Sequence, residues 1–160
     1  MDDVVAPAWT GPAKQLATAL HHAVAAAQVA DPVALDEAMG PLACIDPGAW
    51  SVVLGDLTRD LLERALPDGL DADDVGQLLQ DVQHGTAPWH APLDLDVMLV
   101  VLSDSLGVVL VDETPRHAQV VLRHGVLLVA HLLSRTGEPL PNALDRSLTQ
   151  LQRAQTMEMP

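Results

Sequence analysis

The chain has 160 residues and a formal net charge of −14; 49% of its residues are hydrophobic and 19% are charged. This length is that of one domain, residues 1–160, with a sizeable core, and the composition excludes an intrinsically disordered chain. The excess of acid also weighs against nucleic acid as the main partner, because binding it requires Lys and Arg to neutralise phosphates.

Several features predict a cytoplasmic protein. The single cysteine, Cys44, cannot form an intramolecular disulfide and is expected to be buried as a small apolar residue, and the first residues are acidic where a signal peptide would be basic. The longest apolar stretches fall short of the roughly 20 residues that a membrane span needs, so no membrane association is expected. The absence of Phe and Tyr is typical of a GC-rich bacterial genome.

The first half of the chain is predicted to be helical after a flexible arm at 1–10. Gly11-Pro12 opens a helix that reaches Ala30. Asp31-Pro32 and Asp46-Pro47 each combine an N-cap residue with a proline at the first helical position, and predict the starts of the next two helices. Gly40-Pro41 is predicted to end the second helix, and Gly85 to end a fourth that begins after Asp71.

The second half is predicted to hold three more helices. Leu95 to Val111 fits a helix, but the apolar runs within 97–112 also fit a β-hairpin, which would make the fold α+β. Thr114-Pro115 and Gly137 delimit a strongly apolar central helix over 115–136, and the last helix begins at Pro141 and leaves a flexible tail at 156–160. The predicted fold is an all-α, bundle-like domain of about seven helices around the central one.

Basic residues recur along the central helix at intervals of seven, which places them on one stripe. Histidines seven residues apart are separated by roughly 10.5 Å along the axis, so they cannot share one metal ion. The stripe is interpreted either as a polar face that pairs with the acidic middle of the chain or as a surface that binds an acidic group. The candidate binding residues are Arg116, His117, Arg123, His124, His131 and Arg135, together with Trp89 on a proline-stiffened loop that either anchors an interface or folds back on the core.

A second pattern is the carboxylate row Asp56, Asp60 and Glu63 on the third helix. Such a row can hold Mg²⁺, but it lies opposite the apolar stripe and its members have arginines four residues away, as on an ordinary exposed face. We therefore predict no metal site. Asp104 is expected to pair with Arg123 or His124 on the next helix.

Motifs for catalysis, phosphate binding or cofactor binding do not occur in the sequence. We therefore predict no catalytic residue and no cofactor, and we expect a non-catalytic interaction or regulatory protein that acts through protein–protein contacts and self-associates, with or without a further partner protein. Sixteen acidic residues lie between 31 and 112, and five arginines lie between 114 and 160, so the two regions could complement each other between subunits. The alternative is an all-helical small-molecule-binding protein or metal-dependent enzyme with an anionic ligand.

Overall fold

The computed structural model describes residues 11–108 and 117–158, and these residues form helices and no strands. The seven helices in these two ranges are α1 (Pro12–Gln28), α2 (Pro32–Ala43), α3 (Pro47–Ala65), α4 (Ala72–Thr86), α5 (Leu95–Leu106), α6 (Ala118–Thr136) and α7 (Leu140–Glu158). The all-α prediction is confirmed. No helix among the described residues is long and apolar enough to cross a membrane.

Aspartates begin four of these helices, for a local reason. The side chains of Asp31 and Asp46 accept hydrogen bonds from the amides of Ala34 and Ala49, three residues later. Asp71 forms a reciprocal capping box with Asp74, and Asp94 caps α5. Each carboxylate satisfies a helix amide that has no partner within its own helix, so the predicted starts of α2, α3 and α4 are correct.

Helix α6 is the centre of the fold, as predicted, and packs against α1, α2, α3, α4 and α5. All seven helices contribute side chains to one apolar core of leucine, valine and alanine, in which Trp50 is buried. Gly125 of α6 is a point of close approach to α3, because a Cβ atom there would lie 3.4 Å from Cδ1 of Leu54.

Several predicted helix boundaries in the second half need correction. Residues 97–106 are helical, which rules out the first strand of the alternative hairpin. Helix α5 ends at Leu106, not Val111, because Gly107 adopts the left-handed conformation that terminates helices. Helix α6 begins at Ala118 and not at Pro115, since His117 has extended backbone angles. The Thr114-Pro115 signal itself lies outside the described residues.

Four further expectations differ from the structure. Helix α2 continues through Pro41 to Ala43; the proline removes the hydrogen bond to the carbonyl of Glu37, which lies in an exposed part of the helix where water can replace it. Helix α4 includes Gly85. Helix α7 extends to Glu158, so it includes the first residues of the predicted tail at 156–160. Cys44 is exposed. The predicted arm at 1–10 lies outside the described residues.

Candidate functional site

The basic stripe does not form one continuous surface, because its residues contact different neighbours. Arg116 lies outside the described residues, and His117 is exposed at the N-cap of α6, where its side chain makes no capping hydrogen bond. Arg123 and His124 face α2, α5 and the loop before α5, whereas His131 faces α1 and α4. The stripe therefore divides into a first part near the start of α6 and a second part near its end.

Arg123 joins three segments of the chain in the first part of the stripe. Its Nη2 lies 2.7 Å from Oδ1 of Asp36 on α2, and its Nε donates to Nε2 of His90 at 2.9 Å. Asp36 belongs to the acidic middle of the chain. This ion pair is therefore of the kind expected if the stripe is a polar face that pairs within the chain. Asp104, the partner expected from the sequence, is exposed instead.

His124 is buried and uses both ring nitrogens within the protein. Its Nδ1 donates to the carbonyl of Val120 at 2.8 Å, and its Nε2 accepts the backbone amide of Asp94 at 3.0 Å. Because an accepting Nε2 carries no proton, the imidazole is neutral in this arrangement. Burial lowers the pKa of His124 below 6.5, against the opposing effects of the Val120 hydrogen bond and Asp94. His124 thus connects the N-cap residue of α5 to α6 through a hydrogen bond.

His131, one heptad further along, has no such partner. Its Nε2 is buried, and no polar atom of the described residues lies within hydrogen-bonding distance of it. Burial lowers the pKa of this imidazole too, while the charges of Asp81 and Arg135 act in opposite directions. His131 lines a cavity of about 190 Å³ between α1, α4 and α6.

Trp89 closes one side of the same cavity. The indole Nε1 donates to the carbonyl of Gly85 at 3.2 Å, and the half-buried ring packs against the apolar core. Its ring forms a T-shaped pair with the ring of His90, with the ring centroids 5.5 Å apart. Of the two roles considered for this residue, the contacts are those of a side chain folded back on the core.

Arg135, the last residue of the stripe, lies apart from the others. It is exposed and borders an open surface depression together with Arg64 and Glu138. The residue therefore borders the turn between α6 and α7, and its charge still acts on His131, four residues earlier on the helix.

The carboxylate row on α3 is occupied by side chains of the same chain. Ser147 donates to Asp56 at 2.5 Å, and Arg59 lies 3.4 Å from Glu63. Asp60 lies 2.5 Å from Nη2 of Arg146, whose Nη1 is 2.6 Å from Glu138. The hydrogen bond to Glu138, followed by the one to Asp60, raises the pKa of Arg146 above its ordinary range.

Sequence reasoning missed Arg146 and Glu138, because only folding brings α7 beside α3. Arg146 contacts a carboxylate 86 residues away along the chain, a separation for which a single sequence carries no signal. Across 11–108 and 117–158, no three His, Cys, Asp or Glu side chains converge as a set of metal ligands. Comparison of the chain with known protein families, curated proteins and solved structures finds no match.

Proposed function

We propose that this is a non-catalytic interaction protein that binds a partner protein through the outer face of α5. One observation carries the proposal: Leu95, Leu99 and Leu106 are 42%, 39% and 40% exposed. Their spacing of four and seven residues places them on one side of the helix. The described residues therefore cover this row of leucines only in part.

The row lies beside the buried side of α5 and not opposite it. Val97, Met98, Val101 and Leu102 are buried in the core, and at about 100° per residue the exposed leucines continue this apolar side next to Leu102, whereas Asp96 and Ser103 face directly away from the core. The apolar stripe of α5 is therefore wider than the part that its own domain covers. Single exposed leucines are ordinary on protein surfaces, but a contiguous row is typical of an interaction site.

The charges beside the leucines indicate what kind of partner fits. Asp94, Asp96 and Asp104 are exposed along α5, and residues 94–106 contain no Lys or Arg. A partner that presents an apolar helix flanked by basic residues would complement this face, because like charges at an interface are repelled and opposite charges steer association.

A second copy of the chain fits this face less well. Two copies of α5 would bring aspartates together, and Arg123, expected from the sequence to support association, is engaged by Asp36 and His90. Self-association is therefore the competing proposal. The metal-dependent enzyme is less favoured still, since Asp56, Asp60 and Glu63 each contact a side chain of their own chain.

The test uses a synthetic amphipathic peptide as probe, with leucines at helical spacing and lysines on the flanks, and a scrambled peptide of the same composition as control. Binding is measured by fluorescence anisotropy with the wild type, Leu99→Gln and Val52→Gln. Val52 is 54% exposed on α3 and serves as the matched apolar control. We expect Leu99→Gln to weaken binding about tenfold and Val52→Gln to have no effect.

Two outcomes would contradict the proposal. If the scrambled peptide binds equally well, charge alone accounts for the binding and the leucines do not form a docking face. If sedimentation shows a dimer of the chain that Leu99→Gln dissociates, the face is occupied by a second copy, and self-association replaces partner binding.

A further inference from the structure

The cavity beside His131 lies on a different part of the molecule from the outer face of α5. It is bounded by the end of α1, the second half of α4 and the second half of α6. Small residues leave the space open where larger ones would close it: Ala27, Ala30, Gly85, Ala130 and Ser134 all border it. Leu127 and Trp89 supply larger apolar surface.

The buried polar side-chain groups in the wall have hydrogen-bond partners, with one exception. Thr86 and Ser134 donate to the carbonyls of Val82 and Ala130 on their own helices, and the Trp89 indole donates to Gly85. Of the side chains in this wall, only His131 has a buried polar atom, Nε2, with no hydrogen-bond partner among the described residues. Leaving such an atom unpaired costs free energy. A ligand group that forms a hydrogen bond with it removes this cost, and the gain favours binding.

We propose that this cavity binds a small, uncharged aromatic molecule whose single hydrogen-bonding group contacts His131 Nε2. The volume of about 190 Å³ is enough for one ring, since an enclosed apolar cavity of about 150 Å³ engineered in another protein binds benzene. One ring with one small substituent therefore fits. Trp89 offers an aromatic surface for the ring, and the small residues admit it.

An uncharged ligand is favoured by the electrostatics of the wall. Burial lowers the pKa of His131, so the imidazole is neutral near pH 7 and either donates to or accepts from a hydroxyl. The nearby charges, Asp81 and Arg135, have opposite signs and favour neither an anion nor a cation. Transfer of a charged ligand into this partly apolar site would cost desolvation without a counter-ion.

The experiment uses phenol as the probe, with benzene and benzoate for comparison, and follows saturable chemical shift changes by NMR. Two variants carry the same substitution on α4: Gly85→Leu adds a large side chain to a residue that borders the cavity, and Gly76→Leu is the matched control away from it. A Cβ atom at either glycine would have nothing within 4 Å, so both variants are expected to fold. Phenol should shift Thr86 and Leu127 in the wild type and in Gly76→Leu, but not in Gly85→Leu.

His131→Leu separates a ligand role from a structural one. Removing an unpaired buried nitrogen should leave the protein equally or more stable, whereas phenol affinity should fall about tenfold to that of benzene. The proposal is overturned if no saturable shift occurs, as for a cavity that holds only water, or if Gly85→Leu binds phenol like the wild type. It is also overturned if benzoate binds more tightly than phenol, or if His131→Leu destabilises the fold with no change in phenol affinity.

Discussion

His124 and His131 lie on the same helix, seven residues apart, and have opposite relations to the fold. His124 uses both ring nitrogens in hydrogen bonds, one with the carbonyl of Val120 on its own helix and one with the amide of Asp94, the N-cap residue of α5. His131 has a buried Nε2 with no partner in the part of the chain that the structure describes. Burial lowers the pKa of both imidazoles, so this shift alone does not distinguish a structural histidine from a candidate binding one.

The difference arises from the neighbours and not from the residue. Near the start of α6, the loop before α5 presents a backbone amide that needs an acceptor. Near its end, α1 and α4 present alanines, a glycine and hydroxyls that already donate to their own helices. A histidine is therefore stabilising where it satisfies another group and available for binding where it does not.

The strongest way to sharpen this comparison is His124→Leu. We expect it to lower the free energy of unfolding by about 1–2 kcal/mol, because the amide of Asp94 loses its acceptor in a partly buried hydrogen bond. Urea unfolding followed by circular dichroism measures the change. His117→Leu, at the exposed position one heptad earlier, should change stability by less than about 0.5 kcal/mol. Equal effects of the two variants would show that the bond from Asp94 to His124 contributes little.

Acidification should act on the same bond with a smaller effect. Above pH 6.5 the histidines are neutral in both the folded and unfolded states, and the stabilisation is fully present. Below pH 6.5 the two histidines bind protons in the unfolded chain but remain neutral in the folded protein, because burial lowers their pKa there. The free energy of unfolding therefore falls as the pH decreases.

The groups that face these two imidazoles are Asp94, His90 and Arg123 around His124, and Asp81 and Arg135 around His131. Urea unfolding of the wild type and His124→Leu across this pH range tests the prediction. The variant should lose less stability on acidification. A wild type that gains stability as the pH falls through 6.5 would contradict the assignment of His124 as a neutral acceptor.

The smallest expected effect concerns Arg123, the other residue of the first part of the stripe. A double-mutant cycle with Arg123→Met and Asp36→Asn should give a coupling of about 0.5–1 kcal/mol, because Asp36 is 67% exposed and water screens the pair. The ion pair between Arg59 and Glu63 on α3, in which both side chains are mostly exposed, provides the comparison and should couple by about 0.3 kcal/mol. Identical couplings would indicate that the contact between α6 and α2 adds nothing beyond a surface ion pair.

Much of the fold is predictable from the sequence because helix starts and helical faces are local properties. Asp31, Asp46 and Asp71 each cap a helix through an amide only three residues away. The apolar spacing on α6 predicts a helix buried on most sides, and α6 is the central helix. Helix ends were less predictable, since Pro41 and Gly85 are tolerated inside helices where sequence signals favoured termination.

The candidate sites depended on tertiary structure, because a hydrogen bond or an ion pair acts only over a few ångströms while its partners are far apart in the chain. The sequence placed Arg123, His124 and His131 on one stripe, and it determined their spacing on the helix. Folding decided that Arg123 meets Asp36, that His124 receives the amide of Asp94, and that His131 is left beside a cavity. Helical periodicity specifies the direction of a side chain, and only the packing of other helices specifies what it meets there.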